Sequence, residues 1–199
     1  MATHRFFLCL FSLCILVASC KNDTKEGNLE TATEHTVTTK KDLTEEEREA
    51  RNVQANNMMV KAMTTEDVST FTRGLVTVSM SETLANTDEE FTLLAPENGA
   101  FNILGDGQTI LNDPSQREAL KKLLQSHIVV GTVDSATMFQ EVQKSETLTL
   151  TTINGEKLVV SKEGDNLIVT NQNGTKATIG KSDIKGSNGV LHVLDTLLQ

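Results

Sequence analysis

Phe91-Thr92-Leu93-Leu94-Ala95-Pro96-Glu97-Asn98-Gly99-Ala100-Phe101 is the stretch on which the reading of the fold turns. Phe91 to Ala95 is a short, almost unbroken apolar run, the pattern of a strand buried in a core. Pro96 has no N–H to give to a ladder and stops that strand, after which short helices follow.

Upstream of this stretch the periodicity is helical. Thr44-Glu45-Glu46-Glu47 has the spacing of a capping box, with acidic side chains near the positive end of the helix dipole, and predicts a helix from about Leu43 to Met63. Val68, Phe71, Leu75 and Val78 recur at three and four residues and define one apolar face of a second helix. Met58, Met59 and Met63 could form a soft-metal stripe, but no thiolate or histidine stands near them in sequence, so they read as core packing. Downstream, Ser115-Gln116-Arg117-Glu118 is another capping box, and Leu120, Leu123 and Leu124 give the helix behind it an apolar face.

From Thr147 the period changes to two. Leu148 and Leu150, Leu158 and Val160, then Leu167 and Val169 alternate with more polar positions. Asn154-Gly155 and Asn173-Gly174 mark hairpin turns, because both residue types tolerate positive φ, and Gly164-Asp165 supplies a third reversal. The expected arrangement is an antiparallel meander finished by Val190-Leu191-His192-Val193-Leu194. With the helices grouped earlier in the chain, this makes one α+β domain over residues 43–199.

Composition narrows the function. The chain has 199 residues and a net charge of −9, with lysines dispersed among acidic residues, so it lacks the clustered cations that phosphate neutralisation requires and nucleic acid is excluded as a partner. Trp and Tyr are absent, which removes the flat platforms that stack on bases and often on sugars, except through phenylalanine. Catalytic patterns are absent as well: the chain has no Gly-x-Ser-x-Gly elbow, and Gly105-Asp106-Gly107 lacks the lysine of a phosphate loop and reads as a solvated loop. His127 and His192 have no ligand spacing that would make a zinc site, and Asp88-Glu89-Glu90 lacks the alternation of a calcium loop. No cofactor and no metal is therefore expected.

The N-terminus points outward from the cytoplasm. Arg5 supplies a positive charge, and Phe6 to Ala18 form an apolar stretch too short to span a bilayer, the pattern of an export signal over residues 1–19. Val17-Ala18-Ser19-Cys20 resembles a bacterial lipobox, in which small residues precede a cysteine that becomes lipidated; an ordinary signal peptide with an incidental cysteine is the alternative. All three cysteines are at or before this point, so the exported domain has no internal disulfide. Residues 20–42 are rich in Thr, Lys, Glu and Asn and read as a tether with a root-mean-square reach of about 25 Å. Lys21-Asn22-Asp23 resembles the charged stretch that sends lipoproteins of Bacteroidota-like bacteria to the cell surface, although a merely solvated linker fits equally. The expected location is the cell envelope, lipid-anchored at the outer membrane, on its surface or its periplasmic face.

Three segments in order, Phe91 to Phe101, Ser126-His127-Ile128-Val129-Val130-Gly131 within Leu120 to Val133, and Asn188 to Asp195, resemble the motifs of the fasciclin domain family. The resemblance covers roughly Met58 to Gln199. It implies an antiparallel β-sandwich-like wedge flanked by helices and a surface module that binds proteins or polysaccharides without catalysis. It also nominates His127, together with Asp183 and Ile184 as the family's Asp-Ile pair, for partner binding. Ser126 stands where the family usually has tyrosine, and each nominated residue has a structural alternative. A periplasmic accessory lipoprotein, binding a small ligand or a membrane protein, is the competing function.

Overall fold

The structure is a computed structural model that describes residues 43–104 and 107–199. The expected export signal, Cys20, the tether and the Gly105-Asp106 pair lie outside the described residues. The chain from Asp42 to Gln199 forms one compact unit.

Helices dominate its first half. The expected capping box opens α1 (Glu45–Ala55): the Glu47 N–H donates to Thr44 Oγ1 at 3.2 Å, and the Thr44 N–H to Glu47 Oε2 at 2.8 Å. The single helix expected to run to Met63 is broken, because α1 stops at Ala55 and α2 (Met58–Thr64) starts afresh behind Asn57. The cause is local. Asparagine competes for backbone hydrogen bonds, and the Asn57 side-chain Oδ1 takes the Val60 N–H at 3.0 Å as a new N-cap. The break resets the phase, so Met58 and Met59 are buried while Met63 is 64% exposed and leaves the expected methionine packing. α3 (Ser69–Thr77) and the short turn before it bury Val68, Phe71, Leu75 and Val78 on one face, as their spacing predicts, and α4 (Ser81–Ala85) adds Leu84.

β1 (Phe91–Pro96) is buried along its whole length. It runs through Pro96 instead of ending before it. β2 pairs with β1 only from Phe91 to Leu93, so no donor is missed at the proline. After a 3-10 segment, α5 (Gly107–Asn112) leads to α6 (Arg117–Gln125). The expected Ser115 capping box does not form. Asp113 caps instead, accepting the Ser115 N–H at 2.9 Å, and Pro114 holds the first position of the turn, where a missing N–H costs nothing. Leu120 and Leu124 are buried, with Leu123 partly so.

β2 (Ile128–Val130) and α7 (Ser135–Ser145) precede a run of strands. β3 (Thr147–Thr151), β4 (Lys157–Glu163), β5 (Asn166–Thr170) and β6 (Lys176–Thr178) form the expected antiparallel meander in sequence order. Its turns fall where the Asn-Gly pairs predict, but residues 152–156 and 171–175 make longer loops, in which only Gly155 and Gly174 take positive φ. The second loop is held by Asn171, whose Oδ1 accepts the N–H groups of Asn173 and Thr175 at 3.0 and 2.9 Å.

β7 (Ile184–Gly186) and β8 (Gly189–Leu194) close the chain. β8 does not finish the meander. It enters a second sheet of order β2-β1-β8-β7 and runs parallel to β1, from Phe91 opposite Gly189 to Pro96 opposite Leu194. A strand with apolar or buried residues at successive positions suits the middle of a sheet covered on both faces. Successive side chains divide accordingly. Leu93, Ala95, Leu191 and Val193 join a core with α2, α3, α4 and α6, whereas Leu94 and Leu194 join a second core with the meander and α7. The molecule is thus an α+β fold in which helices, a mixed central sheet and the meander sheet stack in layers.

Candidate functional site

The three motif segments converge on the central sheet, where their polar residues hold one another. Asn188 is 1% exposed and joins four elements. Its Oδ1 accepts the Met58 N–H at the start of α2 at 2.7 Å, and its Nδ2 donates to the carbonyls of Leu84 and Asn86 after α4 at 3.1 and 2.6 Å. Its own carbonyl takes the Phe91 N–H at the start of β1 at 3.0 Å. Gly189 follows with φ +150°, and a Cβ there would stand 1.9 Å from the Phe91 carbonyl oxygen, so no other residue lets β8 approach β1 this closely. In the first motif, Thr92 donates to the Gly131 carbonyl at 2.7 Å and accepts the Val133 N–H at 2.9 Å, binding the β2–α7 connection. Asn98 accepts the Thr70 N–H at 2.8 Å near the start of α3.

His127 sits fully buried between α6 and β2. A carbonyl can only accept and an amide N–H can only donate, so its partners fix the neutral tautomer. Nδ1–H donates to the Leu123 carbonyl at 2.7 Å, and Nε2 accepts the Leu198 N–H at 3.0 Å. Phe71 meets the ring edge-on, with centroids 6.1 Å apart. Burial pushes the imidazole pKa down to about 4, against the opposing pull of the Leu123 carbonyl. Ser126 turns its hydroxyl back onto the same Leu123 carbonyl at 2.7 Å.

Asp183 adopts φ +61° and reaches across to the start of α7. Its carboxylate accepts the Ser135 N–H at 2.9 Å and the Ser135 hydroxyl, and its own N–H donates to His192 Nδ1 at 3.3 Å. Partial burial works to raise the Asp183 carboxyl, but the Ser135 bonds, the nearby His192 ring and the Ser182 hydroxyl together hold it below the usual carboxylate range. His192 is buried and neutral, with Nε2–H on the Val133 carbonyl at 3.0 Å; burial lowers its pKa despite that bond and the nearby carboxylates of Asp183 and Asp134. Serine, histidine and aspartate therefore meet here without forming a nucleophile relay, because the hydroxyl donates to the carboxylate and both ring nitrogens face backbone groups. No hydrogen bond joins Asp183 to His127 among the described residues.

Ile184 is half-buried against the helix-side core. It lines an open groove of about 500 Å³ with Lys61, Thr64, Thr65, Glu66, Asp67 and Lys181. A Lys181–Asp67 ion pair at 3.3 Å lies among these lining residues. Of the nominated residues, Ile184 lines this groove, while the hydrogen bonds of His127 and Asp183 run to neighbouring parts of the fold. Sequence reasoning placed Thr92 and Asn188 within motif segments without giving them a role, and missed Ser135. The available signal was Asn188-Gly189 immediately before the last apolar run, a pair suited to a tight backbone approach. Among the described residues, no three His, Cys, Asp or Glu side chains converge as a metal site.

The class this defines is a mixed α+β domain whose motif residues hydrogen-bond one another across the central sheet. The chain belongs to the fasciclin domain family, whose model matches residues 66–199. It is 38% identical over 136 residues to transforming growth factor-beta-induced protein ig-h3 of Sus scrofa, a match covering 67% of this chain and 18% of that protein. It is 33% identical over 134 residues to protein sll1483 of Synechocystis, covering 67% of each, and 32% identical over 135 residues to human periostin, covering 14% of it. The chain thus spans less than a fifth of ig-h3 and of periostin. A solved FAS1 domain pair from the insect cell adhesion molecule fasciclin I superposes with a TM-score of 0.58 at 20% identity, over 72% of this chain and 51% of that one.

Proposed function

We propose that the chain is a noncatalytic adhesion or binding module held at the cell envelope by lipid on Cys20. The fasciclin domain, at the end of the residue 20–42 tether, contacts proteins or polysaccharides noncovalently. The observation that carries this reading is the saturation of the motif residues: Asn188, His127, His192 and Asp183 spend their hydrogen bonds on the fold. Histidines buried away from solvent cannot act on a substrate, whereas a rigid scaffold presents contact surfaces. Membership of the fasciclin domain family, one solved member of which is a cell adhesion molecule, supports the same reading. Tethered copies acting together would turn weak single contacts into avidity. The lipobox carries the anchor. In cells fed labelled fatty acid, the wild-type chain takes up label and Cys20→Ser does not; continued labelling of the variant refutes the anchor. Protease added to intact cells then separates surface display from the periplasmic accessory role, since cleavage before the outer membrane is opened requires the former.

A further inference from the structure

A groove of about 160 Å³ opens where α3, α5 and α6 meet, and none of its lining residues belongs to the hydrogen-bonded motif cluster. Its floor is apolar, with Leu111 and Leu120 4% and 0% exposed. Gly74 sets the floor, because a Cβ there would come within 3.0 Å of Leu124 and 3.3 Å of Leu111, and its absence lets α3 close on α5 and α6. An apolar space of this order accepts one aromatic ring or branched aliphatic side chain. The rim carries two charges of opposite sign, Asp113 and Arg117. Asp113 is already committed: its Oδ1 accepts the N–H and hydroxyl of Ser115 at 2.9 and 2.7 Å, and its Oδ2 accepts Gln116 Nε2 at 3.2 Å. Arg117 is exposed and forms no ion pair among the described residues, a free cation on a chain of net charge −9.

We infer that this groove receives a bulky apolar side chain of a partner protein, flanked by a partner carboxylate that pairs with Arg117. Guanidinium binds carboxylate through two parallel hydrogen bonds, and an arginine beside an apolar pocket is the usual composition of a binding hot spot. The inference rests on the protein-binding reading above and specifies the face and the partner chemistry. A displayed library of random heptapeptides, panned against the full chain in neutral detergent, supplies the probe. Enriched peptides are expected to place Leu, Ile, Phe or Trp next to Asp or Glu. Arg117→Glu weakens them about tenfold, and replacing the peptide acid with Lys restores binding to that variant. Arg117 is exposed in the first turn of α6, where an acidic residue suits the helix dipole, so the variant keeps its thermal unfolding midpoint. The inference falls if nothing is enriched, if enriched peptides lack the apolar-acidic pair, or if they bind Arg117→Glu as tightly as wild type. Binding of the wild-type chain to immobilised matrix proteins or polysaccharides, measured beside it, keeps the two readings apart: retained there and lost here, only the groove assignment fails.

Discussion

The central sheet joins strands from opposite ends of the domain, β1 with β8, whereas the meander sheet joins only neighbours, β3 through β6. They differ equally in where they put polarity. The central sheet buries Thr92, Asn188 and His192 at 0–1% exposure and satisfies each of them. The meander alternates apolar positions inward with polar ones outward, as in the pair Leu150 and Leu158 beside Thr151 and Lys157. Long-range pairing costs loop entropy and leaves many possible partners, so specific buried hydrogen bonds select one. A meander needs no such device, since its turns set the register.

Breaking the selecting bonds gives the largest effect. Asn188→Ala leaves the Met58 N–H and the Leu84 and Asn86 carbonyls without their partner in buried surroundings and lowers stability by about 3 kcal/mol or more, read by urea unfolding. A loss under about 1 kcal/mol would mean that the clamp is incidental and the comparison wrong. Acid probes the same sheet more gently. His127 is neutral in the fold with its pKa lowered to about 4, and the unfolded histidine protonates near its ordinary 6.5. Between those values the unfolded state binds more protons, so this contribution is complete above pH 6.5 and is lost as pH falls towards 4, by about 3 kcal/mol in all. The lowered pKa of His192 acts in the same sense. His127→Gln should flatten this slope in a pH series of thermal melts. The smallest effect belongs at the entrance to the meander. Glu146 is an exposed residue held at φ +62°, and Glu146→Gly should raise stability by about 0.5 kcal/mol through relief of backbone strain.

The same contrast governs what could be read from sequence. The meander was legible because its information is local: the alternation of Leu148 to Val169 and the glycines of the turns lie within a few residues of their consequences. The α1 capping box and the apolar face from Val68 to Val78 were legible for that reason too. β8 was placed in the wrong sheet, since periodicity describes a strand's faces and not its neighbours. The clamping role of Asn188 was missed because its partners Met58 and Leu84 are 130 and 104 residues away. The Asn57 break shows a local competition hidden under a longer periodic pattern. Of the nominated site, family resemblance named His127 and Asp183, but their partners Leu123, Leu198 and Ser135 became visible only in the fold. The α3–α5–α6 groove had no linear signature, because Thr77 and Leu120 become neighbours only after folding.

β8 is the last strand of the chain and stands between β1 and β7 in its sheet. A chain emerging N-terminus first therefore carries β1 with one flank vacant until β8 follows. The helices and the meander share their two cores through that sheet, so neither core is complete before β8 is in place.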